Sequence, residues 1–418
     1  MRKKATDCMF CDEAKGQSNC GACGNTRASG LTCCNGACNN LQNDPNNCGT
    51  CGNTCSPGSM CSSGACKCTT FQGFQDQTTY TVVNFPYGVA VADFNGDGHL
   101  DVVSSGLRTG ENAVSILLGT GTGTFQPQTT FPAGSGPAGV AVGDFNKDGK
   151  IDIVASNLGA LQVSVLIGNG DGTFQSPTAY GVVTNPYSVA VGDFSGDGNL
   201  DIVATNYVDS SVSILLGNGD GTFQPQVRVA VGGFPLGVAV GDFNGDGKLD
   251  IVAATSGDST VSVLLGNGDG TFQTFTAYAV GSNDLGVAVG DFNGDGKLDI
   301  VAANNGGNSV SVLLGNGDGT FQTQTSFPVG LGAYNVAVGD LTGDGNLDIV
   351  VTNYNSNTVG VLLGDGSGGF QTQVTYPVGS GPLAVALGNF NEDGRLDIVE
   401  TNSRGNTVSV LLGIACPT

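Results

Sequence analysis

Asp242-Phe243-Asn244-Gly245-Asp246-Gly247-Lys248-Leu249-Asp250 puts oxygen side chains at its positions 1, 3, 5 and 9 and glycine at position 6. The same nine-residue pattern starts at Asp93, Asp144, Asp193, Asp242, Asp291, Asp340 and Asn389. Successive starts lie 51, 49, 49, 49, 49 and 49 residues apart. Self-similarity at a period of about 50 residues marks an array of equal supersecondary units.

One unit can be read outward from that loop. Residues 237–243 (GVAVGDF) form a short apolar run that predicts a buried strand. Residues 251–254 (IVAA) and 260–266 (TVSVLLG) predict a second and a third. Residues 267–270 (NGDG) carry hairpin-turn chemistry, and 271–280 (TFQTFTAYAV) alternate as a fourth strand does. Four short antiparallel strands, repeated seven times, predict an all-β fold: a seven-bladed β-propeller of four-stranded blades. The last copy ends at Leu412-Gly413 without a fourth strand. Thr70-Phe71-Gln72 and Tyr80-Thr81-Val82, ahead of the first copy, resemble the missing piece. A strand from about 70 to 83 is therefore expected to complete the last blade and close the ring.

Composition divides the 418 residues in two. Residues 1–68 hold 13 of the 14 cysteines and carry net +2; residues 69–418 carry net −24. The first part reads as a small, loop-dominated, disulfide-rich domain, and the second as the propeller. Such cysteine density belongs to an oxidising compartment, which points to an extracellular or cell-surface protein. Met1-Arg2-Lys3-Lys4 is not followed by the apolar run of an export signal, so that signal is not visible. Net charge of −22 argues against nucleic acid and anionic lipid as partners. No apolar segment is long enough to span a membrane. Cys416 lies just past the final strand and brings the cysteines to an even number. A disulfide from Cys416 to Cys68 or Cys66 is expected to lock the ring, contributing about 4–5 kcal/mol in the chain-entropy account.

The acidic loops predict a hard cation. Their oxygen donors are Asp93, Asn95, Asp97 and Asp101; Asp144, Asn146, Asp148 and Asp152; Asp193, Ser195, Asp197 and Asp201; Asp242, Asn244, Asp246 and Asp250. They continue as Asp291, Asn293, Asp295 and Asp299; Asp340, Thr342, Asp344 and Asp348; Asn389, Asn391, Asp393 and Asp397. Carboxylates converging in one turn repel unless a cation joins them, and oxygen-only donors suit Ca2+. Up to seven Ca2+ are expected. The seventh site is expected to be weakest, because Asn389 removes one carboxylate. Position 7 should offer its carbonyl, so its lysine side chains should point away and His99 should face solvent. The NGDG segments read as tight turns rather than further metal sites.

The repeats VAVGDFNGDGKLDIV and VSVLLGNGDGTFQ resemble the FG-GAP/VCBS family over about 350 residues. The resemblance implies a propeller with Ca2+ in the Asp loops, as in the integrin α-subunit head. The run Cys33-Cys34-Asn35-Gly36-Ala37-Cys38, with Asp44-Pro45-Asn46-Asn47-Cys48-Gly49-Thr50-Cys51, looks like a Stig1-type cysteine-rich module. That module repeats internally at 28 residues, so Cys33 and Cys38 correspond to Cys61 and Cys66.

Antiparallel blades send the Asp loops and NGDG turns to one face and the variable loops to the other. Tyr87, Tyr187, Tyr207, Phe234, Tyr334 and Tyr354 fall among the variable loops, where ligand binding is expected. The single histidine and the lack of a GxSxG or HExxH motif argue against an enzyme. Three readings follow: an adhesion or ligand-binding head recognising protein or glycan, a subunit of an extracellular filament joined through its cysteine-rich module, or a carbohydrate-active lectin or lyase.

Overall fold

The structure is a computed structural model. It describes residues 71–107 and 112–414, with 32–34, 37–44, 46, 48, 59–62 and 65–68 of the N-terminal part. Among these residues no helix is long and apolar enough to cross a membrane.

Seven four-stranded antiparallel sheets follow one another along the chain. They are numbered here as blades 1 to 7 from the strand Pro86–Ala92. Blade 4 pairs Pro235–Gly241, Asp250–Thr255, Thr260–Leu264 and Thr276–Ala279 in that order. The second strand is buried at every residue, because each blade is covered on both faces by its neighbours. The fourth strand has three exposed residues and one half-buried. It is shorter than the sequence pattern suggests. Phe272 makes only an isolated bridge to Gly266, and regular pairing resumes at Thr276.

The core lies between blades. Phe94, Val103 and Val114 of blade 1 pack with Ile153, Ala155 and Leu166 of blade 2, and the pattern recurs around the ring. Blade 7 meets blade 1 through Val399, Val408, Val102 and Leu117. The phenylalanine at loop position 2 packs edge-on against the hairpin phenylalanine of the next blade. Phe243 and Phe321 are 5.5 Å apart, and Phe390 and Phe125 are 5.4 Å apart. Each such pair contributes about 0.5–1.5 kcal/mol beyond its buried area.

Ring closure follows the sequence expectation. Thr78–Thr81 pairs antiparallel with Thr407–Leu411, with Thr81 opposite Thr407. The regular strand is narrower than 70–83, and Phe74 adds a bridge to Gly413. Closure gives the edge of blade 7 a partner.

The N-terminal part shows two hairpins, Thr32–Cys34 with Ala37–Asn39 and Ser59–Ser62 with Ala65–Cys68. Cys33 stands opposite Cys38 and Cys61 opposite Cys66, so the 28-residue repeat is a repeat of structure. Cys48 is buried and disulfide-bonded. Cys416 lies outside the described residues, and so does its expected bond to Cys68 or Cys66.

Candidate functional site

All seven acidic loops connect the first and second strands of their blades. Their turns are built by their own side chains. The position 1 carboxylate accepts the position 6 N–H at 2.7–2.8 Å in six loops, from Asp93 with Gly98 to Asp340 with Gly345. The position 3 asparagines accept the position 5 N–H, as Asn244 does from Asp246 at 2.9 Å. The position 5 carboxylate accepts the position 7 N–H, as Asp246 does from Lys248 at 3.0 Å. Position 6 is a glycine at positive φ in every loop, as expected. Position 4 is left-handed too, which the spacing does not reveal: Lys147 and Glu392 adopt φ 58° where other loops have glycine.

The position 9 aspartates have a second role. Each is buried, and one oxygen accepts the N–H of position 2 while the other accepts a glycine N–H at the end of the third strand. Asp250 bonds Phe243 at 2.8 Å and Gly266 at 2.7 Å, and Asp101, Asp152, Asp201, Asp299, Asp348 and Asp397 repeat the arrangement. Burial pushes Asp101 up to about 6, opposed by its two N–H bonds and reinforced by Asp97 and Asp93. Asp397 is also pushed up to about 6, and Asp393 is the one carboxylate adding to its rise. The carboxylates of a loop therefore feel one another.

The donor set fits a hard cation. Every side-chain donor is oxygen, and each carboxylate can accept more bonds than it makes here. Asn389 Oδ1 is buried without a hydrogen-bond partner among the described residues, an orphan of the kind a bound cation satisfies. The oxygens are turned toward backbone N–H groups. Among the described residues no three His, Cys, Asp or Glu side chains are gathered as metal ligands.

Two expectations about position 7 need correction. Lys150, Lys248 and Lys297 do not point away. Their ammonium groups lie 3.3–3.4 Å from the Asp148, Asp246 and Asp295 carboxylates of their own loops. The reason is local, since an acidic turn attracts the cation nearest along the chain. His99 is not simply solvent-facing, because its Nδ1 meets Glu392 of blade 7. The NGDG segments behave as structural turns. Gly319 donates to the Phe243 carbonyl of the preceding blade at 3.1 Å, and equivalent glycines do so elsewhere in the ring.

The opposite face is organised by the inner strands. Every inner strand carries a β-bulge near its start, such as that between Pro86 and Val89. Bulges re-aim side chains. Here they set Tyr87, Tyr187 and Tyr334 around a central cavity of about 120 Å³. Ser188, Asn335, Leu236, Leu285 and Leu383 also line it, and no lining residue is charged. The Tyr87 and Tyr334 hydroxyls bond each other at 2.8 Å. Burial raises both, Tyr334 to about 12, so both stay neutral. The six aromatics expected on this face form one track. Tyr354, Tyr334, Tyr87, Tyr187, Tyr207 and Phe234 follow in sequence with centroids 5.1–6.1 Å apart. Arg404 lies over Tyr354 at 4.5 Å, which sequence reading missed because it comes from another blade.

Six overlapping segments, from 93–155 to 340–400, match the FG-GAP-like repeat. The chain belongs to the FG-GAP-like repeat family. Residues 2–69 match the stigma-specific STIG1-like protein family. No curated protein matches the chain at a significant level. Among solved structures, this FG-GAP-like propeller is similar to an Agrocybe aegerita lectin described for specific recognition of non-reducing terminal N-acetylglucosamine. That likeness has 25% identity and a TM-score of 0.51, and it covers 79% of this chain and 96% of the lectin. A catalytically inactive virginiamycin B lyase from Staphylococcus aureus shares the fold at 14% identity and a TM-score of 0.57, over 82% of this chain and all of that one.

Proposed function

We propose that this FG-GAP-like protein is an extracellular, calcium-stabilised, non-enzymatic propeller that binds a protein or glycan ligand on its tyrosine-bearing face. The observation that carries the reading is the contrast between the two faces. One repeats the same acidic turn seven times, and the other breaks the repeat with an aromatic track around an open cavity. Repetition suits a shared structural role, while a varied face on a rigid ring suits recognition. The disulfide at Cys48 supports an oxidising location. Among the described residues lining the cavity there is no carboxylate, histidine, cysteine or lysine, so it offers no acid, base or nucleophile other than hydroxyl groups. The lectin named above supports the ligand-binding part of this reading.

Metal content and thermal unfolding, with and without a calcium chelator, test the structural half. Six or seven Ca2+ per chain and a large fall in melting temperature on chelation are expected. No bound Ca2+, or an unchanged melt, would overturn it. Size-exclusion chromatography of the calcium-loaded chain should give a monomer; polymers would favour the filament reading instead.

A further inference from the structure

We propose that the tyrosine-lined mouth of the central cavity binds an uncharged pyranose at the end of a glycan. This rests on the ligand-binding reading above and names its ligand. A pyranose has one apolar C–H face and a rim of hydroxyls. It needs aromatic faces beside fixed donors and acceptors, and the cavity supplies both. Tyr87, Tyr187 and Tyr334 bring the aromatic rings to its lining, and Asn335 and Ser188 bring polar side chains. At about 120 Å³ the cavity has room for a single small ring rather than a folded partner.

The inner strands are tied to one another unequally around the ring. In five blades a serine or threonine hydroxyl donates to the inner-strand carbonyl of the next blade, as Ser156 does to Tyr187 and Thr352 to Leu383. Blades 4 and 5 have Ala254 and Ala303 at that position. The carbonyls of Leu285 and Tyr334 therefore receive no such hydroxyl; they lie against Gly237 and Gly286 of the preceding blade.

Charge narrows the class further. The cavity lining is neutral, so nothing in it offsets the charge of a sialylated or sulfated terminus, and Arg404, the cation of this track, lies away from the cavity over Tyr354. Outside the cavity, the track continues through Tyr207 to Phe234, which is 46% exposed. A second sugar of the same chain can stack there. The mutual bond of the Tyr87 and Tyr334 hydroxyls holds those rings in place before binding, which lowers the ordering cost.

The test presents full-length, calcium-loaded protein to an immobilised array of neutral and sialylated glycans, followed by calorimetry with the methyl glycoside of the best-bound terminal sugar. Binding confined to neutral termini is expected. Tyr187→Ala should weaken it by at least about tenfold. Tyr334→Phe keeps the ring and should weaken it less, and Tyr278→Phe on an outer strand should leave it unchanged. Melting temperatures identify any variant that fails to fold, in which case Tyr334→Phe carries the test. No neutral glycan bound, preference for acidic termini, or equal binding by all folded variants would overturn the proposal. A protein partner bound through Phe234, with no glycan bound, would overturn this inference and leave the ligand-face reading standing.

Discussion

The Thr401 hydroxyl of blade 7 donates to the Tyr87 carbonyl of blade 1 at 3.2 Å, across 314 residues of chain. The same hydroxyl accepts the Ala384 N–H of its own bulge at 3.0 Å. It thus ties a bulge to the next blade and closes the ring at its inner edge. Ser105, Ser156, Thr205 and Thr352 make the other such ties. Serine serves where the bulge residue is Gly88 or Gly139, and threonine where it is Ser188, Asn335 or Ala384.

Thr401→Val keeps the shape and removes both bonds. It should destabilise the propeller by about 1–3 kcal/mol, since a buried N–H and a carbonyl lose their partner. In the converse experiment, Ala254→Ser and Ala303→Ser should each add a tie beside Gly237 and Gly286, raising stability by about 0.5–1.5 kcal/mol. Denaturant unfolding of the calcium-loaded protein measures both.

Glu400 is fully buried in blade 7, where other blades have Ser104, Ala155, Ala204, Ala253, Ala302 or Val351. Burial pushes its carboxyl up to about 8, and neither carboxyl oxygen has a hydrogen-bond partner among the described residues. The folded state keeps a proton that the unfolded state releases near its model value of 4.5. Stability should therefore fall as pH rises from about 4.5 to about 8. Glu400→Gln should flatten that decline and gain on the order of 3–5 kcal/mol at pH 8. Equal pH slopes for the two proteins would refute the assignment.

Asn389→Asp restores the third carboxylate of the seventh loop. It should raise the number of Ca2+ retained after dialysis, or the affinity of the weakest site, because affinity follows ligand charge. Isothermal titration against the unaltered chain reads the change, and an unchanged weakest site would place the weakness elsewhere.

Lys147 holds φ 58° at a loop position where five other loops have glycine. Lys147→Gly should relieve that strain and stabilise by about 0.5–1 kcal/mol after the glycine entropy cost. Thermal melts with Ca2+ present check it. Glu392 shares the conformation but also meets His99, so it is the less clean test.

Much of this was legible in sequence because the unit repeats. Gly237 to Val280 shows alternation, turns and apolar runs within one blade, and these interactions are local in the chain. The closing strand was legible because the seventh unit lacks its fourth strand and the missing piece precedes the first. The left-handed position 4 was not legible, since Lys147 and Glu392 disguise a glycine position. Nor was the hold of Asp250 on Gly266, which needs the third strand folded back beside the loop.

The sequence by itself determined the blade count, the strand order within a blade, the closure of the ring and the seven acidic turns. Each depends on periodicity or on contacts between neighbouring segments. Only the tertiary structure decided what faces the centre. Tyr87 meets Tyr334 across 247 residues, and Thr401 reaches Tyr87 across 314. Those partners come together because seven bulged inner strands converge on one axis, and no single repeat contains that geometry.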